Sequence, residues 1–262
     1  MFPERRLGGC MSALAIALIF AGGAAAASNN VVVPGTSDIW LAGQPNGTSI
    51  NGGFGGTDVA PANSPVLSST GLNLTAGNIL TFSATGATDF GGCVSPSPDG
   101  GGACGNFTGA ATLSLSSYRG PVNALVGVFL DNNAGGFVPP GIDFTPPSAQ
   151  SQSTIAPQLR QVFYIGDGLT GTGSGTVQQF VVPPGATRLF LASSDGPGAS
   201  FNNAASFNVT VSDTPAAPPA GPPASPPAAQ GVPAGSNVTM LLAGMLLIGA
   251  ASYLLNRRPA AR

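Results

Sequence analysis

The sequence predicts an all-β fold, a jelly-roll-type β-sandwich with an N-terminal signal peptide and a C-terminal transmembrane helix. The first observation is a two-residue period in residues 79–85. Leu80, Phe82 and Ala84 alternate there with Thr and Ser, which places the apolar side chains on one face of a strand. The second is that turn residues such as Pro183-Pro184-Gly185 separate the apolar runs. The third is that the runs between the turns are short and lack a helical period, which is typical of sandwiches and barrels.

The predicted strands follow in chain order. They are residues 79–85, 111–116, 122–130, 160–165, 176–182, 187–193 and 205–212. The domain begins earlier, in residues 31–65, where VVVPGTSDIWLAG is typical of a strand, a turn and a second strand. This second strand holds Trp40, the single tryptophan of the chain. Between Ile39 and Leu41 its ring is expected to pack in the core, and a sugar-stacking platform is the alternative.

The first 27 residues have the pattern of a secretory signal peptide. Arg5 and Arg6 supply a positive start, residues 11–20 supply an apolar core, and the alanines at 25–27 supply a small-residue cleavage site. The chain is therefore expected to be exported, with a mature β-sandwich domain at residues 28–213.

The composition changes abruptly after Asp213. Residues 214–234 form a linker rich in Pro and Ala, a composition that stays extended and does not join a packed core. Residues 235–262 follow, and within them 238–255 form an uncharged apolar run of 18 residues ahead of Arg257 and Arg258. This length and the basic flank predict a membrane-spanning helix with its positive end in the cytoplasm.

The exported part is acidic and lacks most catalytic side chains. Between Ser28 and Ala234 there are nine Asp, three Arg, and no Glu, Lys or His. A net charge of about −6 excludes nucleic acid and anionic lipid as partners, because both require clustered Lys or Arg. Serine and cysteine hydrolases need His or Lys, and zinc sites need His or several Cys. The sequence therefore predicts a protein that is not an enzyme.

Cys93 and Cys104 are the cysteines that remain after removal of the signal peptide. An even pair in an exported chain predicts one disulfide, and two free thiols are the alternative. The bond closes the glycine-rich loop CVSPSPDGGGAC. By lowering the entropy of the unfolded chain it is expected to stabilise the fold by about 3 kcal/mol.

The stretch 191–211, LASSDGPGASFNNAASFNVTV, contains the main candidate for a binding site. Asp195 lies in a Gly/Pro turn, and Asn202 and Asn203 follow it between two predicted strands. Calcium prefers roughly six to eight oxygen ligands from carboxylates, amides and backbone carbonyls, and this loop supplies all three kinds. The same residue types are also common in ordinary strand connections. Asp167, in the glycine-rich run 166–175, is a weaker second candidate for cation binding.

This stretch resembles the calcium and sugar loop of the PA-I galactophilic lectin family, small jelly-roll sandwiches that bind galactose through calcium. The motif residues are Asp195, Pro197, Gly198, Asn202, Asn203, Ser206, Phe207 and Val209. The resemblance implies calcium ligands from the side chains of Asp195, Asn202 and Asn203 and from the backbone carbonyls of Phe90 and Ala199. It also implies ligand contacts at Asp195, Gly196, Asn202 and Asn203. The family uses a His to reach the sugar, and this chain has none, so the resemblance does not identify the sugar.

The tail resembles the PEP-CTERM family of exosortase sorting signals through Val232-Pro233, the apolar run and the Arg pair. The family's Val-Pro-Glu-Pro is replaced by Val-Pro-Ala-Gly at residues 232–235, so the resemblance leaves cleavage open. It implies an exosortase-type sorting machinery as a partner. The protein is then either anchored in the membrane through residues 238–255 or released after processing.

Together these features predict an exported, calcium-dependent carbohydrate-binding protein of the cell surface or extracellular space, with glycans as its ligands. The alternative is a non-catalytic structural protein of the surface or extracellular matrix, which keeps the sandwich and binds no sugar.

Overall fold

A computed structural model describes residues 26–214 of the chain. Within this range there is one short α-helix, α1 (Pro147–Gln150), and three-residue 3-10 turns lie at Ile39–Leu41, Gly102–Cys104 and Ser200–Asn202. The rest is strand and loop, which confirms the predicted all-β class. No helix in residues 26–214 is long and apolar enough to cross a membrane. The predicted signal peptide up to residue 25, the predicted linker after Thr214 and the membrane segment 238–255 lie outside the described residues.

The described range contains 17 strands. They are β1 (Ser28–Pro34), β2 (Ser49–Ile50), β3 (Asp58–Val59), β4 (Val66–Leu67), β5 (Ile79–Phe90), β6 (Cys93–Val94), β7 (Asn106–Gly109), β8 (Tyr118–Pro121), β9 (Leu125–Leu130), β10 (Ile142–Asp143), β11 (Thr154–Ile155), β12 (Phe163–Tyr164), β13 (Leu169–Gly171), β14 (Ser174–Val177), β15 (Gln179–Val181), β16 (Arg188–Ser193) and β17 (Ala204–Thr214).

Two sheets form the body of the domain. The larger has the order β1-β17-β5-β15-β11, with β6 paired to the end of β5, and the smaller has the order β12-β9-β16-β4. The long strands β5 and β17 are antiparallel along their whole length, from Asp89 opposite Ala204 to Ile79 opposite Thr214. Alternation explains this pairing, because the apolar residues of β17 point into the core while the intervening Asn and Thr face outward.

Aromatic rings fill the space between the two sheets. Phe180 of β15 meets Phe82 of β5 edge to face, with centroids 4.8 Å apart, and lies 5.8 Å from Phe163 of β12. Phe163 stacks in turn on Phe129 of β9 at 5.3 Å. All six residues of β9 are buried, as expected for a strand that is covered on both faces. The packing is therefore that of a sandwich-like fold.

Small strand pairs complete the domain. β10, β8 and β7 form a three-stranded sheet, and the pairs β13-β14 and β2-β3 each form a two-stranded ribbon. The ribbon β2-β3 belongs to the N-terminal part of the domain, between β1 and β4. It lies against the loop that follows β16.

The strand predicted at 176–182 is divided between β14 and β15, which belong to different sheets. Three other predicted strands differ from the structure for local reasons. Residues 39–41 form a 3-10 turn because the Asp38 side chain accepts a hydrogen bond from the Trp40 amide at 2.9 Å. Residues 111–116 do not form a strand, since Leu113 and Ser114 have φ angles of 47° and 65°. The strand predicted at 160–165 is limited to β12, because Arg160 also has a positive φ.

Trp40 is nevertheless a core residue, as the sequence predicts. It is 1% exposed, and its ring lies edge-on to Phe107 with centroids 6.3 Å apart. A Cβ on Gly109 would lie 2.5 Å from the indole ring, so the absence of a side chain at Gly109 makes room for the tryptophan. The alternative that Trp40 forms a sugar-stacking platform is therefore wrong.

Candidate metal centre

The loop of residues 194–203 joins the two sheets, from the end of β16 to the start of β17. Its first residue is fixed by hydrogen bonds: Ser194 Oγ donates to the Pro121 carbonyl at 2.6 Å and accepts from the Ala124 amide at 2.8 Å. Gly198 has a φ of 74°, and a Cβ there would lie 2.5 Å from the Ile50 carbonyl oxygen. Only glycine fits this turn, so the loop lies in direct backbone contact with β2.

Asp195 is buried at the start of this loop, with 4% of its surface exposed. Its Oδ1 accepts a hydrogen bond from the Gly196 amide at 2.6 Å. Its Oδ2 is buried without a hydrogen-bond partner among residues 26–214. Burial raises the pKa of Asp195 to about 6, although the Gly196 N–H acts in the opposite direction. A buried carboxylate oxygen of this kind is costly unless a cation compensates it.

Asn203 lies next to Asp195. A hydrogen-bond interaction with its side chain lowers the pKa of Asp195, although no bond of standard geometry reaches Asp195 Oδ2, and its Nδ2 donates to the Gly35 carbonyl at 3.3 Å. The Asn203 side chain is buried, and within the described part of the chain its Oδ1 has no partner. Two of the predicted ligands thus hold unpaired buried oxygens in neighbouring positions.

The other predicted site residues lie around this pair. Asn202 is exposed, and a Cβ on Gly91 would lie 3.7 Å from its Nδ2, so this side chain borders the end of β5, where Phe90 lies. Ala199 is buried, and its amide donates to the Gly196 carbonyl at 3.0 Å. The loop therefore brings Asp195 and Asn203 together in the interior and places Asn202 at the rim.

Two carboxylates that the sequence analysis did not single out, Asp38 and Asp58, hold the same loop. Asp38 Oδ2 accepts from the Gly198 amide at 2.9 Å, and Asp58 Oδ2 accepts from the Ser200 amide at 2.8 Å. Both residues are at most 1% exposed. Asp58 Oδ1 has no hydrogen-bond partner in the described range. The available sequence signal was the position of each Asp beside apolar residues, in Asp38-Ile39 and Asp58-Val59, where burial requires a partner.

The three acids influence one another electrostatically. The Asp38 and Asp58 carboxyl groups interact directly, and Asp58 also opposes ionisation of Asp195. Burial raises the pKa of Asp38 to about 8, with the neighbouring Asp58 adding to the effect, and burial raises the pKa of Asp58 as well. Without a cation, burial therefore favours the protonated form of Asp38 near neutral pH.

The arginines of the domain do not neutralise this centre. Arg119 pairs with Asp143 at 3.1 Å, and Arg160 pairs with Asp131 at 2.7 Å. Arg188 donates to the Asp131 carbonyl and lies over the Phe190 ring at 5.6 Å. The residues 26–214 contain no Lys or His, so protons or a bound cation must balance the buried carboxylates.

The donor set fits a hard cation that takes mixed oxygen ligands. Within residues 26–214 no group of three His, Cys, Asp or Glu side chains is close enough to hold a metal by itself. A cation at Asp195 therefore needs amide or backbone oxygens as well, and calcium accepts both. The unpaired oxygens of Asp195, Asn203 and Asp58 are of the type that calcium binds, whereas softer metals prefer nitrogen or sulfur.

The predicted disulfide is confirmed. Cys93 and Cys104 are bonded, with Cα atoms 5.7 Å apart, and the Cys93 carbonyl accepts from Asn123 Nδ2 at 2.8 Å. Because β6 begins at Cys93 and pairs with the end of β5, the closed loop stands beside Phe90.

Asp167, the weaker candidate, has a structural role in its own hairpin. Its two carboxylate oxygens accept from the amides of Leu169 (2.8 Å) and Gly173 (2.7 Å). Both oxygens are thus used in shaping the β13-β14 ribbon, and the side chain offers no unpaired atom to a metal.

Comparison with known proteins adds no relative. No protein-family model matches the chain, and no curated protein or solved structure is significantly similar to it.

Proposed function

We propose that residues 28–213 form a calcium-dependent carbohydrate-binding domain of jelly-roll type in an exported surface protein. The observation that carries this proposal is the pair of buried, unpaired oxygens on Asp195 and Asn203, close to a third on Asp58. Leaving such atoms without a partner costs about 1–3 kcal/mol each, and more for a charged group. A bound calcium ion removes this cost, because carboxylate and amide oxygens are its preferred ligands.

The proposed ligands bind the ion from different sides. Asp195 and Asn203 hold the ion from the interior. Asn202 and the backbone carbonyls of Phe90 and Ala199 complete the set that the lectin resemblance implies. When bound, calcium supplies coordination positions at which two neighbouring sugar hydroxyls replace water. Asn202 is the exposed member of the set, so the sugar approaches from its side of the loop.

An exposed aromatic ring borders the same loop. Phe54 is 65% exposed, and its ring comes within 3.6 Å of where a Cβ on Gly196 would lie. The apolar C–H face of a sugar ring packs well on an aromatic side chain whose surroundings are otherwise polar. Phe54 therefore supplies an apolar contact next to the ion, in a protein that lacks the family's sugar-binding His.

The test is a glycan array probed with the purified protein, with calcium and with a chelator. The protein is displayed in many copies on beads, because single-site affinity is modest and multivalency raises it. We expect a subset of glycans to retain the beads in calcium and to release them in chelator. The exchange Asn202→Ala should reduce retention at least about tenfold. The matched control is Asn132→Ala, at an exposed asparagine between β9 and α1, and it should leave retention unchanged.

One observation favours a second candidate function, a structural surface protein in which calcium only stabilises the fold. Asp38 and Asp58 anchor the amides of Gly198 and Ser200, so the centre also ties distant parts of the chain together. A blank array from a protein that binds calcium in solution would favour this structural role. Retention that is equal with and without calcium would contradict both candidates.

Export and anchoring are part of the proposal and rest on the two ends of the sequence. The basic start, apolar core and alanines at 25–27 direct the chain out of the cytoplasm. The apolar run 238–255 and the following Arg pair hold it in the membrane or present it to an exosortase-type machinery. Truncation after Gly231 should move the protein from the membrane fraction to the secreted soluble fraction, as measured by immunoblotting. A truncated protein that stays in the membrane fraction would contradict the anchoring role of the tail.

A further inference from the structure

Residues 49–59, the ribbon β2-β3 and its connecting loop, are in close contact with the loop of residues 194–203. A Cβ on Gly52 would lie 2.5 Å from the Pro197 carbonyl oxygen, and one on Gly56 would lie 2.3 Å from the Phe201 ring. Such close approach of two segments requires glycine at the contact points. The ribbon therefore covers one side of the candidate metal centre, and it lies outside the stretches that resemble the lectin family.

Asp58, the first residue of β3, reaches from this ribbon into the centre. It is fully buried, and its Oδ2 accepts from the Ser200 amide at 2.8 Å. Its Oδ1 has no hydrogen-bond partner within residues 26–214, like Asp195 Oδ2 and Asn203 Oδ1. Asp58 is close enough to Asp195 for the two charges to repel. Two like charges with free oxygens are stable in the interior when a cation lies between them.

Asp38 differs from Asp58 in the hydrogen bonds that its carboxylate oxygens accept. Both of its oxygens accept hydrogen bonds from backbone amides, those of Trp40 and Gly198, each at 2.9 Å. Its role is therefore to shape the two loops. Asp58 interacts with the Asp38 carboxyl group and the Phe201 amide as well as with the Ser200 amide, but its Oδ1 accepts no hydrogen bond of standard geometry within residues 26–214.

We propose that Asp58 Oδ1 is a ligand of the same calcium ion as Asp195 and Asn203, so that the ion fastens the β2-β3 ribbon to the loop of residues 194–203. This inference rests on the proposed calcium site. It adds a second carboxylate to a set in which the lectin resemblance implies one, and a higher ligand charge increases calcium affinity. It also gives the β2-β3 ribbon a function, because the ion would add a bond between the ribbon and the loop to the contacts that already join them.

The first experiment is calorimetric titration of the full chain with calcium. Wild type is compared with Asp58→Asn, with Asp195→Asn, and with Asp213→Asn as a matched control. Asp213 is also buried, but its two oxygens accept from the amides of Ala27 and Asn73 (2.6 Å each), and it stands at the opposite end of β17. We expect Asp58→Asn to weaken calcium binding at least about tenfold and Asp213→Asn to leave it unchanged.

The second experiment uses the wild-type chain, so its outcome does not depend on the folding of a variant. Chymotrypsin cleaves after aromatic residues. Phe54 in the ribbon loop and Phe137 between β9 and β10 are both well exposed, at 65% and 76%. We expect cleavage after Phe54 to be at least about fivefold faster in chelator than in calcium, since the loop opens more often when the ion is removed. Cleavage after Phe137 should proceed at the same rate in both.

The outcomes separate this inference from the proposed function. If Asp195→Asn abolishes calcium binding while Asp58→Asn binds like wild type, Asp58 is not a ligand and the calcium site stands without it. If cleavage after Phe54 is insensitive to calcium in a chain that binds calcium, the fastening of the ribbon is overturned. If wild type takes up no calcium, the proposed site and this inference both fail.

Discussion

Replacing Asp195 by Asn is expected to lower the melting temperature in saturating calcium by about 5–10 °C. A ligand that binds only the folded state contributes about 2.7 kcal/mol at 100 times its Kd, and 1 kcal/mol corresponds to roughly 2–4 °C for a domain of this size. The substitution keeps the shape of the side chain and an oxygen for the Gly196 amide, and it removes the charge that faces the ion. Differential scanning calorimetry with calcium measures the effect.

In chelator, the same substitution should leave the melting temperature unchanged or raise it. Wild type then buries an unpaired carboxylate oxygen on Asp195, whereas the variant buries a neutral amide, so the variant should melt at or above the wild-type temperature. Asp143→Asn is the matched control, at an exposed Asp paired with Arg119, and it should shift both temperatures by less than about 2 °C. An equal decrease in melting temperature in calcium and in chelator would mean that Asp195 supports the fold without binding an ion.

The sequence predicts strands correctly where apolar residues alternate with polar ones, and also where a continuous apolar run forms a buried strand, as in β9 and β16. Residues 79–85 lie within β5 and residues 205–212 within β17, and in each the buried positions are every second residue. The predictions that are wrong depend on single side chains or backbone angles. The Asp38 hydrogen bond turns residues 39–41 into a 3-10 turn, and the positive φ angles at Leu113 and Ser114 prevent a strand at 111–116. Apolar patterning contains neither signal.

In the candidate site, the sequence predicts ligands that are close together in the chain and misses the one that is far away. The sequence places Asp195 and Asn203 on one short loop, where local spacing keeps them close. Asp58 lies 142 residues before its hydrogen-bond partner Ser200, and no period or motif connects the two. Contacts at that separation depend on how the ribbon packs on the loop, which is set by glycines such as Gly52 and Gly198 and by the order of the strands.

The calcium-free protein should become less stable as the pH rises from about 5 to 8. Burial raises the pKa of Asp38 to about 8 and that of Asp195 to about 6, and it raises the pKa of Asp58. The folded state therefore holds protons that the unfolded chain, with ordinary Asp pKa values near 3.9, has already released. This stabilisation is complete below about pH 4 and is lost as the pH passes through the folded-state values. We expect the melting temperature in chelator to fall by at least about 5 °C over this interval.

The pH interval is well suited to the measurement, because the chain has no His and the lowered pKa values of Asp131 and Asp143 act only at lower pH. Burial also raises the pKa of Asp167, but this group lies in a separate hairpin and its contribution should not depend on calcium. The Asp38→Asn variant should show a flatter pH dependence in chelator, since it lacks the carboxyl group whose pKa burial raises to about 8.

Calcium should counteract the fall in melting temperature that occurs in chelator as the pH rises. The ion binds ionised carboxylates, so protons compete with it below about pH 6, and the increase in melting temperature caused by calcium should grow from pH 5 to pH 8. Scanning calorimetry at several pH values, with calcium and with chelator, gives two curves that diverge as the pH rises. A melting temperature that rises with pH in chelator would contradict the burial of protonated acids at this centre. Parallel curves would contradict an ion held by Asp195 and its neighbours.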